Sequence, residues 1–174
     1  MVHLWHDISP KKGSKINVII EIPSGSKIKY ELDKENGVIK VDRILNSSVF
    51  YPGNYGFIPQ TLEEDSDPLD VLVISQSALQ IGTLVECNPI GVLITIDDGK
   101  KDYKILCVPA SDPYFKKIKD IKNLSQETKM EIQEFFKTYK SLEKKKMEVK
   151  STRNKAFAEK VISKSIENYK KWRM

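Results

Sequence analysis

Apolar positions in the first two thirds of the chain fall in short runs separated by turn residues. "INVIIEIP", residues 16 to 23, is strand-like and is closed by Pro23 and the turn residues "SGS". "KIKYELD" (27 to 33) alternates, with Ile28, Tyr30 and Leu32 on one face and Lys27, Lys29, Glu31 and Asp33 on the other. "KENG" makes a tight turn and "VIKVDRIL" (38 to 45) runs back, which predicts a hairpin. "FYPGNYGFIP" (50 to 59) carries Pro52, Gly53, Asn54, Gly56 and Pro59, and that density of turn residues predicts loop. "DVLVIS", "GTLVECNPIGVLITI" and "YKILCVP" follow as strands, the last two joined by the turn "DDGKKD". Short strands with frequent turns and no alternating helices predict a small barrel rather than a parallel α/β sheet.

From about Asp112 the period changes to that of a helix. Ser125 is a candidate N-cap, Glu127 and Glu131 follow near the positive helix end, and Ile132, Phe135, Phe136, Tyr139 and Leu142 form an apolar stripe. Ala158, Val161, Ile162, Ile166 and Tyr169 mark a second amphipathic helix. No repeat, linker or low-complexity segment divides the chain, so residues 1–174 read as one domain, mainly β with helices packed on a barrel (α+β).

Composition adds limits. A 40% hydrophobic and 30% charged chain is that of a soluble globular protein. No apolar run approaches the ~18 residues of a membrane span, and "MVHLWHDISPKKG" lacks the layout of a signal peptide. Cys87 and Cys107 lie in apolar strands without metal-ligand spacing, which predicts buried free thiols in a cytoplasmic protein. The net charge of +5 is uneven: residues 1–114 carry 11 basic against 16 acidic side chains, and residues 115–174 carry 18 against 8. The basic end has no interleaved aromatics and reads as Lys-rich solvated helix faces rather than a nucleic-acid surface.

The chemistry is therefore sought in the acidic part, above all in "EEDSDPLDVL" (63 to 72), where Asp65, Asp67 and Asp70 crowd against a buried strand. Carboxylates are natural ligands of hard cations such as Mg2+. Asp65 and Asp67, two apart in an extended segment, would point the same way, and Asp70 would rejoin them if Pro68 turns the chain. Asp97, Asp98 and Asp102 flank a turn that could supply further ligands. The plain alternative is a solvated acidic loop. A calcium loop of the EF-hand kind fails, because its fifth, sixth and twelfth positions would be Leu69, Asp70 and Gln76. Lys29, Arg43, Lys104 and Lys140, with the phenols of Tyr51, Tyr55 and Tyr139, are the companions that phosphoryl transfer requires. There is no phosphate-binding P-loop, no Gly-flanked serine and no cysteine beside a histidine, so a covalent nucleophile is not expected. His3 and His6, near an end expected to fray, read as incidental.

"DSDPLDV", Asp65 to Val71, stands beside "EIP" (21 to 23), "KYELDKENG" (29 to 37), "VDR" (41 to 43), "FYPGNYGFIP", "DDGKKDYK" (97 to 104) and "FFKTYKSLE" (135 to 143). In order and spacing these segments resemble the soluble, Mg2+-dependent inorganic pyrophosphatases of family I, over about residues 5 to 170. The resemblance implies a five-stranded barrel of OB type with two α-helices from the C-terminal half packed on it. It also implies hydrolysis of pyrophosphate to two orthophosphates by a metal-activated water, without a covalent intermediate. Asp65, Asp70 and Asp102 match ligands of a tight metal site. Asp97 and Asp102 match ligands of a metal that comes with substrate. Glu21 matches a residue that holds a further metal through water, and Glu31 belongs to the surrounding acids. Asp67 matches the residue that takes a proton from the attacking water, and Tyr55 stands near that water. Lys29, Arg43, Lys104, Tyr139 and Lys140 match the groups that grip the phosphates. Several Mg2+ ions per site are implied, with Mn2+ or Zn2+ as substitutes. A cytoplasmic homo-oligomer, a hexamer in microbial members, is implied too, with pyrophosphate as partner and neither nucleic acid nor membrane. One departure stands out: many members carry Gly-Trp before the last helix, where this chain has "EVKSTRNKAF" with Ser151, Thr152 and Arg153. A nucleic-acid-binding module and a phosphatase of larger phosphoesters are the competing readings.

Overall fold

The computed structural model describes residues 2–174. In chain order the elements are β1 (Lys11–Lys12), β2 (Lys15–Ile22), β3 (Ile28–Asp33), β4 (Val38–Ile44), β5 (Asn54–Phe57), β6 (Asp70–Val73), β7 (Leu84–Asp97), β8 (Lys100–Pro109), α1 (Gln126–Thr138), β9 (Met147–Asn154) and α2 (Lys155–Arg173). One sheet runs β1-β2-β5-β6-β8-β7-β9, and a further pairing of β2 with β7 closes β2, β5, β6, β8 and β7 into a five-stranded ring. This is an OB-like barrel, with β1 and β9 appended to it and β3–β4 standing apart as a hairpin. Long β7 serves two neighbours on one edge: Leu84 to Cys87 pair with β2, and Gly91 to Asp97 pair with β9.

The barrel strands read as continuous apolar runs because both of their faces are buried. Leu72, Leu93 and Leu106 pack with Ile132, Phe135 and Phe136 of α1. Their neighbours Val71, Val92, Ile105 and Cys107 pack with Ala158, Val161 and Ile162 of α2. The two-residue period of the strand thus divides the apolar side chains between two helices. Each fully buried Leu, Ile or Phe contributes about 2 kcal/mol of transfer free energy. Ser125 caps α1, its hydroxyl accepting from Thr128 N–H at 3.1 Å, and Asn154 caps α2, accepting from Phe157 N–H at 3.1 Å. Cys87 and Cys107 are buried free thiols, as expected.

Four local expectations are corrected. Asn54–Phe57, expected as loop, is the buried strand β5. It fits because Gly56 lets its backbone approach β2: a Cβ there would sit 1.8 Å from Ile19 O. Met147–Asn154, to which no element is assigned from the sequence, is β9, and Arg153 there lies 5.3 Å from the Phe157 ring centroid. The helical pattern expected from Asp112 begins only at Ile121–Asn123 as a 3-10 turn and at Gln126 as α1. Leu142, beyond the end of α1, is 65% exposed. The N-terminal segment is anchored: Trp5 is buried and donates from its indole to Thr61 O at 3.0 Å, His6 Nδ1 lies 2.6 Å from Tyr169 OH, and His3 Nε2 lies 3.1 Å from Lys34 O.

Candidate active site

Barrel topology gathers side chains from six segments into one cleft of about 340 Å3. The end of β2 supplies Glu21, the β3–β4 hairpin Lys29, Glu31 and Lys34, and β5 Tyr55. The loop before β6 and its first residue supply Asp65, Asp67 and Asp70. The β7–β8 hairpin supplies Asp97, Asp102 and Lys104, and the end of α1 supplies Tyr139 and Lys140. Seven carboxylates thus face four lysines. Parallel pairing of β6 with β8 sets Asp70 opposite Lys104, a placement that spacing along the chain does not reveal.

Lys104 is the hub of the floor. Its buried ammonium donates to Tyr55 OH at 2.8 Å, to Asp70 Oδ2 at 2.9 Å and to Asp102 Oδ2 at 2.9 Å. Burial pulls its pKa down, but Asp102 and Asp70 outweigh that and leave it well above the usual lysine value. The Phe136 ring centroid lies 5.2 Å from the same Nζ and adds a cation–π contact. Tyr55 donates to Asp70 Oδ2 at 2.5 Å, and burial, reinforced by Asp70, raises its phenol so that it stays a donor.

The carboxylates are held uncomfortably. Burial, then the nearby Asp70, raises Glu21 to about 8, although Leu32 N–H donates to it at 2.7 Å. Burial also raises Asp65 and Asp102. Asp97 Oδ2 accepts from Lys140 Nζ at 2.5 Å, while its buried Oδ1 has no hydrogen-bond partner. Asp65 and Asp67 do not lie on the extended segment expected. Residues 64–67 turn, with Ser66 at φ +69° and Asp65 Oδ1 accepting from Asp67 N–H at 3.1 Å. An Asx turn is the local alternative that short carboxylates offer the backbone, and it still leaves both carboxylates on the cleft.

The hairpin is pinned by groups the sequence reading passed over. Lys29 Nζ donates to Asp42 Oδ2 at 2.7 Å and to Glu31 Oε2 at 3.1 Å. Arg43, paired with Lys29 across the strands, donates from Nε to Glu143 Oε1 at 3.0 Å and from a terminal nitrogen to Asp42 at 2.5 Å. Of the residues matched to the family Arg43 alone is not among those lining the cleft, and the further candidates Asp98 and Tyr51 lie off it too, Tyr51 being buried against Phe135. Lys34 reaches across to Asp67 Oδ1 at 2.6 Å. Lys34, Asp42 and Glu143 all lie inside the quoted motifs, but a one-dimensional pattern does not say which of its charged residues meet.

The donor set suits divalent metal. Seven hard oxygen donors outnumber the cations, three of the acids are destabilised as anions, and one buried carboxylate oxygen is orphaned. Among the described residues no three carboxylates are drawn to one point, and the Lys104 ammonium lies between Asp70 and Asp102.

Comparison with known proteins agrees with this geometry. A family model described as inorganic pyrophosphatase matches residues 18–170. A soluble inorganic pyrophosphatase of Arabidopsis thaliana is 49% identical over 169 residues, 96% of this chain and 78% of that protein. The inorganic pyrophosphatase of Sulfolobus acidocaldarius is 55% identical over 140 residues, 78% of this chain and 81% of that one. The crystal structure of inorganic pyrophosphatase from Thermus thermophilus superposes with a TM-score of 0.93 at 40% identity, covering 97% of this chain and 99% of the other.

Proposed function

The chain belongs to the inorganic pyrophosphatase family and hydrolyses pyrophosphate to two orthophosphates, and we propose that it does so with metal-activated water on its aspartate cluster. Asp65, Asp70 and Asp102 would hold a tight Mg2+ site, Asp97 and Asp102 would hold one that fills with substrate, and Glu21 would hold a further ion through water, with Glu31 among the surrounding acids. Mn2+ or Zn2+ can substitute. When bound, these ions cancel part of the substrate's charge and lower the pKa of water from ~15.7 toward ~7. The rest falls to the chain's own groups. Asp67 accepts the proton of the attacking water, beside which the Tyr55 hydroxyl stands. Lys29, Arg43, Lys104, Lys140 and Tyr139 grip the two phosphates and stabilise the one that leaves. No side chain becomes covalently attached.

The orphaned, buried Oδ1 of half-buried Asp97 carries the metal reading: a buried acceptor without a donor costs about 1–3 kcal/mol, and a cation relieves that cost. Residues 1–174 act as one domain in the cytoplasm, as a homo-oligomer of hexameric type. Exposed Val41, Ile44 and Phe50 offer apolar surface for subunit contact. Phosphate release from pyrophosphate, with and without millimolar Mg2+ and beside ATP, tests the mechanism. Fast release that needs Mg2+ and spares ATP is expected, and full turnover in excess chelator would sink the metal-based reading.

A further inference from the structure

Alternation along β8 sends Asp102 and Lys104 into the cleft and their neighbours Lys101 and Tyr103 into a second cavity of about 270 Å3. The two cavities share no lining residue. Lys160 and Lys164, one turn apart on α2, border the second cavity with Lys101. All three lysines are exposed, and none forms an ion pair among the described residues. Tyr103 and Phe157, half-buried with ring centroids 6.5 Å apart and planes 52° apart, add two angled apolar faces. Glu63 and Glu64 line the same cavity, Glu63 accepting from the Ser165 hydroxyl, so the three lysines exceed its carboxylates by one and leave it a net positive charge beside an apolar wall. It suits an anion that carries a ring. The volume lies just below the ~300–1,000 Å3 range of small-molecule sites, enough for a ring and one phosphate and too small for a polymer.

Two further residues of α2 that line the cavity, Ser165 and Asn168, grip the loop that bears Asp65 and Asp67. Leu62 N–H donates to Ser165 O at 3.0 Å, Asn168 Nδ2 donates to Leu62 O at 3.3 Å, and the Ser165 hydroxyl donates to Glu63. Within the loop Glu63 N–H donates to Asp67 O at 2.9 Å, and Ser66 N–H to Glu63 O at 3.1 Å. Any ligand that bridges α2, β8 and Glu63 therefore bears on Asp65 and Asp67.

We propose that this cavity is a regulatory site for a small organic phosphate with a planar ring, of nucleoside monophosphate size. Its phosphate meets Lys101, Lys160 and Lys164, its ring lies along Tyr103 and Phe157, and its occupancy steadies the loop of Asp65 and Asp67. The test is calorimetric titration of the full chain with AMP, with adenosine and ribose 5-phosphate as controls. AMP is expected to bind with submillimolar affinity and both controls at least tenfold more weakly. Lys160→Ala/Lys164→Ala, which alters only exposed side chains, is expected to weaken AMP at least tenfold and leave basal turnover unchanged. Lys29→Ala, in the cleft, is expected to leave AMP binding intact. With free Mg2+ varied and buffered against chelation by AMP, AMP should lower the free Mg2+ concentration for half-maximal turnover at least twofold in the parent and not in the double variant. Absence of AMP binding at millimolar concentration overturns the proposal. So does AMP affinity that survives the double substitution or is lost in Lys29→Ala, since the ligand would then occupy the cleft. Equal binding of either control overturns it as well.

Discussion

At the scale of single residues the cleft is a set of opposed charges whose balance depends on Lys104. That ammonium is almost fully buried between Asp70 and Asp102, and removing it leaves two carboxylates facing each other. Lys104→Ala is expected to destabilise the metal-free protein by about 3 kcal/mol, toward the lower bound for a broken buried pair because Asp70 is partly open to water. Melting in EDTA against melting in Mg2+ checks this: the loss should shrink with Mg2+ present, and an equal loss in both would mean Lys104 acts by packing alone. Asp67 is different. It is half exposed, bound by Lys34, and anchors no core. Asp67→Asn should keep the melting temperature within a few degrees and lower kcat by roughly 10²–10⁴, the usual worth of a general base. Turnover equal to the parent's at every pH would remove that role.

At the scale of elements, the decisive event is the approach of β5 to β2. Gly56 is required there because a side chain would strike the Ile19 carbonyl, and β5 carries both Tyr55 and the pairing partner of Asp70. Gly56→Ala is expected to lose more than 3 kcal/mol or to fail to fold, since backbone rather than a flexible side chain must move. A urea midpoint matching the parent's would contradict the close approach. α2 starts at its Asn154 cap, and Asn154→Ala should cost about 1 kcal/mol in urea unfolding. Hairpin β3–β4 and helices α1 and α2 were legible in the chain because alternation and helical period are local. β5 was not, because its turn residues obey a contact with a strand more than 30 residues earlier. β9 was missed for a related reason: it is an exposed-edge strand whose polar sequence is specified by pairing to β7.

At the scale of the whole molecule, the fold holds acids against its core that it cannot comfortably ionise alone. Glu21 has a folded pKa of about 8, above its unfolded value near 4.5, so the folded state binds the extra proton between those pH values. Its contribution to stability is full below about pH 4.5 and is lost as pH rises through 8, amounting to at most about 5 kcal/mol. Metal-free protein should therefore weaken from pH 5 to pH 9, and Glu21→Gln should flatten much of that slope. Added Mg2+ should stabilise more at pH 8 than at pH 5, as measured by urea unfolding at each pH; a metal-free profile without slope would contradict the strain assigned to Glu21. The sequence by itself determined the family: Asp65, Asp67, Asp70, Asp97 and Asp102 stand in a pattern specific enough to name it, because a pattern of residue types at fixed spacing is written in the chain itself. It also determined the strands and helices whose periods are local. Only the tertiary structure decided that β6 and β8 run parallel with Asp70 opposite Lys104, that β2 closes on β7, and that Asp97 keeps an unpaired buried oxygen. Those are pairings between distant segments, and register across a barrel is chosen by the packing of all its strands at once.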